Sequence, residues 1–176
     1  LAQVPGGISE DSRLQPSRSV MSMPAVLPFP EKVSLLLEAD REGRELAVSV
    51  LQTAMLRLLT SLPPGKLRLT IIDPVGLGEH FAGFMHLADF DEAHVMEKIW
   101  SEPRHIEQQL ADLTEHMETV IKKYLRNEYE TIDQYNAAAG EIAEPYRVLL
   151  FADVPVNLSE IAAKRLMSIL ASGTRC

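Results

Sequence analysis

The chain has 176 residues, 46% of them hydrophobic and 24% charged, and its 17 basic against 25 acidic residues give a net charge of −8. That length and composition suit one domain with a substantial core plus a tail, and they exclude wholesale disorder. The charge argues against a free-standing nucleic-acid binder, whose affinity comes mostly from neutralising phosphates with a basic face.

The acidity is uneven: Glu128 to Glu160 holds seven acids and one base, Arg147. Lys122, Lys123 and Arg126 are the densest basic group and read as a solvated helix face, with a nucleic-acid backbone contact as the lesser alternative. Cys176 is the only cysteine, so the chain has no internal disulfide framework or CxxC pair, and a reducing, cytoplasmic compartment fits best. No apolar run is long enough to span a bilayer, so any membrane tether is expected outside this sequence. A start at Leu1 without the basic and apolar regions of a signal peptide reads as a piece of something longer.

Residues 1–31 are rich in Pro, Gly and Ser and read as a linker or strap, with Met21 to Pro30 (MSMPAVLPFP) apolar enough to dock in extended form. From residue 32 to 176 the pattern is that of an α/β domain. Val33, Leu35, Leu36 and Leu37 suit a short strand buried on both faces. Arg44 to Leu59 carries a wide helical stripe, and Val48 and Leu56 off that stripe predict burial on more than one side. Pro63-Pro64-Gly65 ends the unit.

LRLTII (Leu67 to Ile72) predicts a second strand, ending at Asp73-Pro74. Phe81 to Phe90 reads as irregular, and a short helix is predicted between Asp91 and Trp100. Ile106, Leu110, Leu113, Met117, Val120, Ile121, Tyr124 and Leu125 recur at steps of three and four, an amphipathic helix of about twenty residues. A shorter helix follows from Thr131 to Ala139, closed by Gly140. RVLLF (Arg147 to Phe151) is the third strand, and Ser159 caps a helix from Glu160 to Leu170. After SGTRC the pattern calls for another strand. Short buried strands alternating with helices imply right-handed crossovers and a parallel sheet, here incomplete and with an exposed edge.

A strand, a short polar turn and a helix over LLLEADREGRELA (residues 35–47) make the frame of a phosphate-binding loop, GxxxxGK[ST], whose backbone amides wrap phosphates while lysine neutralises them and a hydroxyl holds magnesium. Counted back from Gly43, Glu38 stands at the first glycine, Arg44 at the lysine and Glu45 at the hydroxyl. Two carboxylates would face a triphosphate, and arginine's planar fork reaches differently from lysine. An ordinary strand-turn-helix is the plainer account of these residues.

The second carboxylate motif of such enzymes ends an apolar strand in Asp-Glu. Here Asp153 stands alone after VLLFA, and capping the turn before Pro155 explains it as simply. Asp73, at a strand's carboxyl end, is placed equally for ligand binding and for turn chemistry. His80, His86, His94, His105 and His116 form no HExxH or i, i+4 pair, which speaks against a metal site, and solvent exposure is the plainer account of His105 and His116. No grouping signals a nucleophile. Trp100 reads as packing rather than a base-stacking platform.

Taken in order, several stretches resemble the FtsK/SpoIIIE DNA translocase motor domain, a RecA-like P-loop ATPase. LRLTIIDPVG (67–76) is similar to its strand and IDPK-type loop, and ETIDQYNAAAGE (130–141) to its short RNIEEYN-type helix after a long one. YRVLLFADVP (146–155) falls at its Asp-Glu strand, MSILASGTRC (167–176) on the stretch leading to the next strand, and residues 35–51 on its phosphate-binding loop. The resemblance covers about residues 32 to 176.

It implies a parallel sheet flanked by helices, ATP and magnesium as cofactors, hexameric rings, double-stranded DNA or protein as cargo, and roles in cell division and chromosome segregation. Carried over by position, Gly43 keeps its role, Arg44 and Glu45 replace lysine and hydroxyl, Asp73-Pro74 persists, and Asp153 is the lone acid of the second motif. The losses fall on the atoms that touch nucleotide and magnesium. The expectation is therefore a non-catalytic copy without cofactor, contacting other domains of a longer protein or other copies in a ring. Two alternatives stay open. One is an active translocase ATPase with Arg44 as phosphate anchor and Asp153 near magnesium. The other is a nucleotide-independent interaction module whose acidic region docks a basic partner.

Overall fold

A computed structural model describes residues 2–3, 20–21, 26–30, 34–89, 95–96 and 98–176. Ala2–Gln3 (β1) and Val20–Met21 (β2) pair antiparallel. Beyond them the order is α1 (Arg44–Ser61), β3 (Leu67–Ile72), a run of helical turns containing α2 (Ala82–Met85), β4 (Ile99–Trp100), α3 (Pro103–Thr119), α4 (Ile132–Ala139), β5 (Tyr146–Phe151) and α5 (Glu160–Ser172). The fold is α/β: a three-stranded parallel sheet in the order β4-β3-β5, flanked by helices and compatible with a Rossmann-like arrangement.

Strand pleating sends alternate side chains to opposite faces. Leu67, Leu69 and Ile71 of β3, with Leu150 and Ala152, meet Met55 of α1 and the buried Phe81 and Met96. Ile72, flanked by Leu149 and Phe151, meets Ile106, Leu110 and Leu113 of α3 and Ala162 of α5. α1 therefore covers one face, and α3 and α5 the other. Each fully buried Ile, Leu, Met or Phe contributes about 1.5–3 kcal/mol of transfer free energy.

The long amphipathic helix forms as expected, with Pro103 in its first turn, and widens into a π-helical turn over Val120–Leu125 before Arg126 and Asn127 take left-handed φ. Ser159 accepts from Ala162 N at 3.1 Å to open α5, and Thr131 accepts from Gln134 N to open α4. Within α4, Ile132 and Tyr135 join a third cluster with Val120, Leu125, Tyr124 and Tyr129. Asn136 clamps the backbone of Glu144 through both its amide groups at 2.8 and 2.9 Å. The side chains that make ETIDQYN distinctive thus pack the turn into β5.

Four expectations are corrected. Residues 34–40 form no strand: Leu35 is 43% and Leu36 79% exposed, and among the described residues the outer edge of β5 has no partner strand; Val33 lies outside the described set. The third strand of the sheet is instead Ile99–Trp100, inside the stretch expected to be helical; residues 91–94 and 97 lie outside the described set. Two residues suffice there because Asp73 N donates to Trp100 O at 2.9 Å and Leu69 N to Val95 O, tying the segment along β3. Residues 79–89 wind into short helical turns rather than irregular chain. On α1, Val48 and Met55 are buried but Leu46 and Leu56 are exposed, so one face packs and the opposite one stays open. Of the strap, Phe29 packs edge-on against Tyr146 at 5.3 Å between ring centres; most of residues 1–25 lie outside the described set.

Candidate functional site

Three segments meet at the carboxyl end of the sheet: the start of α1, the turn after β3 and the turn after β5. Asp40 Oδ1 accepts from Gly43 N at 2.8 Å, a local turn that aims α1, and Gly43 O accepts from Ala47 N at 2.9 Å to begin the helix. After β3, the Asp73 side chain, 0% exposed, accepts from Gly76 N at 2.9 Å through Oδ1 and from Gly78 N at 3.2 Å through Oδ2. Gly78 adopts φ 88°, open to glycine without strain. Gly76 is required for space: a Cβ there would sit 1.9 Å from His80 Nδ1 and 2.5 Å from Asp73 Oδ2. The turn thereby folds His80 back onto Asp73.

A chain of polar groups results. His80 Nδ1 lies 3.0 Å from Asp73 Oδ2, and His80 Nε2 lies 3.4 Å from an Arg44 Nη1. Carboxylate only accepts and guanidinium only donates, so the Nδ1-protonated tautomer satisfies both neighbours. Arg44 then grips Asp153 with two bonds, Nε to Oδ1 at 2.8 Å and Nη2 to Oδ2 at 2.7 Å. Asp153 holds φ 55°, a left-handed value that Asp tolerates better than most side chains and that turns its carboxylate towards α1. The Arg44 hydrogen bonds hold the Asp153 carboxyl below its usual range, and Asp153 in turn raises the Arg44 guanidinium. Gln52 of α1 anchors the His80 carbonyl.

Of the residues singled out from sequence, Arg44, Asp73 and Asp153 are brought together. Gly43 contributes only backbone to the turn, while Glu38 and Glu45 are exposed and stand outside the network. Asp73 serves the turn and His80 at once, and Asp153 serves Arg44 rather than only the turn before Pro155. His80, the bridge, was missed; the glycines at 76 and 78 between Asp73 and His80 were the available signal, since they let the chain double back. His116 is also corrected: it is half-buried under the sheet, whereas His105 is exposed beside Trp100. Trp100 packs in the second cluster, with Lys98 Nζ 4.2 Å from its ring centre. Lys122 pairs with Glu118 at 2.7 Å on an exposed face.

A cleft of about 680 Å³ opens beside the network, lined by Arg44, Gly76, Gly78, His80, Lys98 and Ile99 among others. The charged side chains Arg44 and Asp153 of the network beside it are engaged largely with each other. Both Asp153 oxygens accept from Arg44, and three Arg44 nitrogens lie against Asp153 and His80. Among the described residues, no group of three or more His, Cys, Asp or Glu could hold a metal ion.

No family model, curated protein or solved structure matches the chain. What stands is the class: an α/β domain with a small parallel sheet flanked by helices, carrying an internally paired polar network at the carboxyl end of its strands. No helix among the described residues is long and apolar enough to cross a membrane.

Proposed function

We propose that this chain is a degenerate, non-catalytic domain of FtsK/SpoIIIE type, with a RecA-like P-loop ancestry, serving assembly or regulation in a larger translocase-like protein of the cytoplasm. The observation that carries it is the bidentate Arg44–Asp153 pair. In a working site of this type the residue at Arg44 meets phosphate and the acid at Asp153 stands near magnesium. Here the two charges close on each other, and nucleotide would have to break the pair before gaining either contact.

Exposed apolar side chains support a role in assembly. Leu35 and Leu36 before α1, Leu46 and Leu56 on it, and Ile161, Met167 and Leu170 on α5 are each more than 40% exposed, material for contacts with other domains or other copies. Calorimetric titration with ATP and magnesium tests the reading, with a non-hydrolysable analogue as control. The expected result is no heat up to millimolar nucleotide; micromolar binding overturns it.

A further inference from the structure

We propose that Arg68 and Arg147 form a clamp for a phosphate monoester or free phosphate dianion, at the opposite end of the sheet from the network and independent of the function proposed above. The two residues are in-register partners on the parallel strands β3 and β5. Pleating places both on the α3 and α5 face, since their neighbours Leu69 and Val148 belong to the α1 cluster. Like charges set directly across a strand pair repel, so the arrangement costs stability unless an anion lies between them.

Among the described residues the domain supplies only a partial counter-charge. Lys122 and Lys164 each pair with a carboxylate within 4 Å, but neither Arg68 nor Arg147 does. Glu144, its backbone clamped by Asn136, is near enough to act on Arg147 and offsets part of that charge without pairing with it. The third member of the cluster is His116 of α3. Burial first, then the Arg147 charge, hold it down to about 4, against an upward pull from Glu144 that outweighs the small push from Arg68. At neutral pH it is therefore uncharged. Two guanidiniums against the one nearby carboxylate, Glu144, leave a net positive charge, and two guanidinium forks suit the several oxygens of a phosphate better than the two of a carboxylate. Both arginines are exposed, so a phosphate from solution can reach them.

The test is an NMR titration of the intact chain with inorganic phosphate at pH 7.5, following the Arg Nε–Hε and His116 ring signals, with acetate at matched ionic strength and a short DNA duplex as further arms. Saturable millimolar shifts of the Arg68, Arg147 and His116 signals are expected with phosphate and not with acetate. Arg147→Gln and Arg68→Gln should each weaken binding at least about tenfold, one charge-assisted contact being lost. Arg147→Lys should retain part of it, while circular dichroism confirms folding of all variants. Equal shifts with acetate, no saturable shift, or phosphate shifts unchanged in both glutamine variants overturn the clamp. Tight duplex binding lost in the glutamine variants, without response to free phosphate, would assign the arginines to a diester backbone and overturn it too.

Discussion

Arg44 and Asp153 should be strongly coupled, and a double-mutant cycle measures how strongly. Arg44→Gln removes the fork; Asp153→Asn removes the charge while keeping a side chain that tolerates φ 55°. A buried charge-assisted hydrogen bond contributes about 1.5–3 kcal/mol, whereas exposed ion pairs contribute about 0.2–1 kcal/mol. The two side chains are 35% and 20% exposed, between these limits, so two such bonds should give a coupling of about 1–2 kcal/mol. For a domain of this size that is a loss of about 3–6 °C in Tm for each single variant, readable by circular dichroism in thermal and urea unfolding.

The pH dependence follows from the depressed Asp153 pKa. The coupling should be fully present above the unfolded carboxyl value near 4 and fade as pH falls through the lower folded value. A coupling below about 0.3 kcal/mol at pH 7 would mean that both side chains are solvated independently. Arg44 would then be free to meet phosphate, and the case against nucleotide would fail with it.

Gly76→Ala should destabilise by about 2–3 kcal/mol in urea unfolding, because the new methyl must expel His80 and leave the buried Asp73 short of a partner; an unchanged midpoint would refute the close approach. His116, held at about 4 in the folded chain, should cost stability as pH falls from its unfolded value near 6.5 towards 4, where the unfolded state binds the proton more readily. Discounted for its half-exposure, the loss is about 1–2 kcal/mol, and it should vanish in His116→Gln, checked by urea unfolding at pH 7 and pH 4.5. Ser159→Ala should cost about 1–2 kcal/mol in the same assay, since its hydroxyl caps α5 and donates to Glu107 of α3, joining the two helices.

The sequence by itself determined the elements whose signals are local. Leu67–Ile72 as a strand, the 3.6-residue stripe of α3, the Ser159 and Thr131 caps and the Gly140 stop all follow from side-chain periodicity and backbone preference within a few residues. It also marked Arg44, Asp73 and Asp153 as residues to watch, through their places at strand and helix ends.

Only the tertiary structure decided what those residues do and which apolar runs become strands. Leu35–Leu37 and Ile99–Trp100 are both apolar, but a strand exists only where a neighbour offers a free edge in register, and that is a non-local property. β3 pairs with Ile99–Trp100 on one edge and β5 on the other, whereas Leu35–Leu37 pairs with no strand among the described residues even though the outer edge of β5 is open. Likewise the grip of Arg44 on Asp153 spans 109 residues, and His80 joins it only because Gly76 leaves room for its ring. Charges that far apart in sequence meet through packing alone, so their pairing could not be read from spacing.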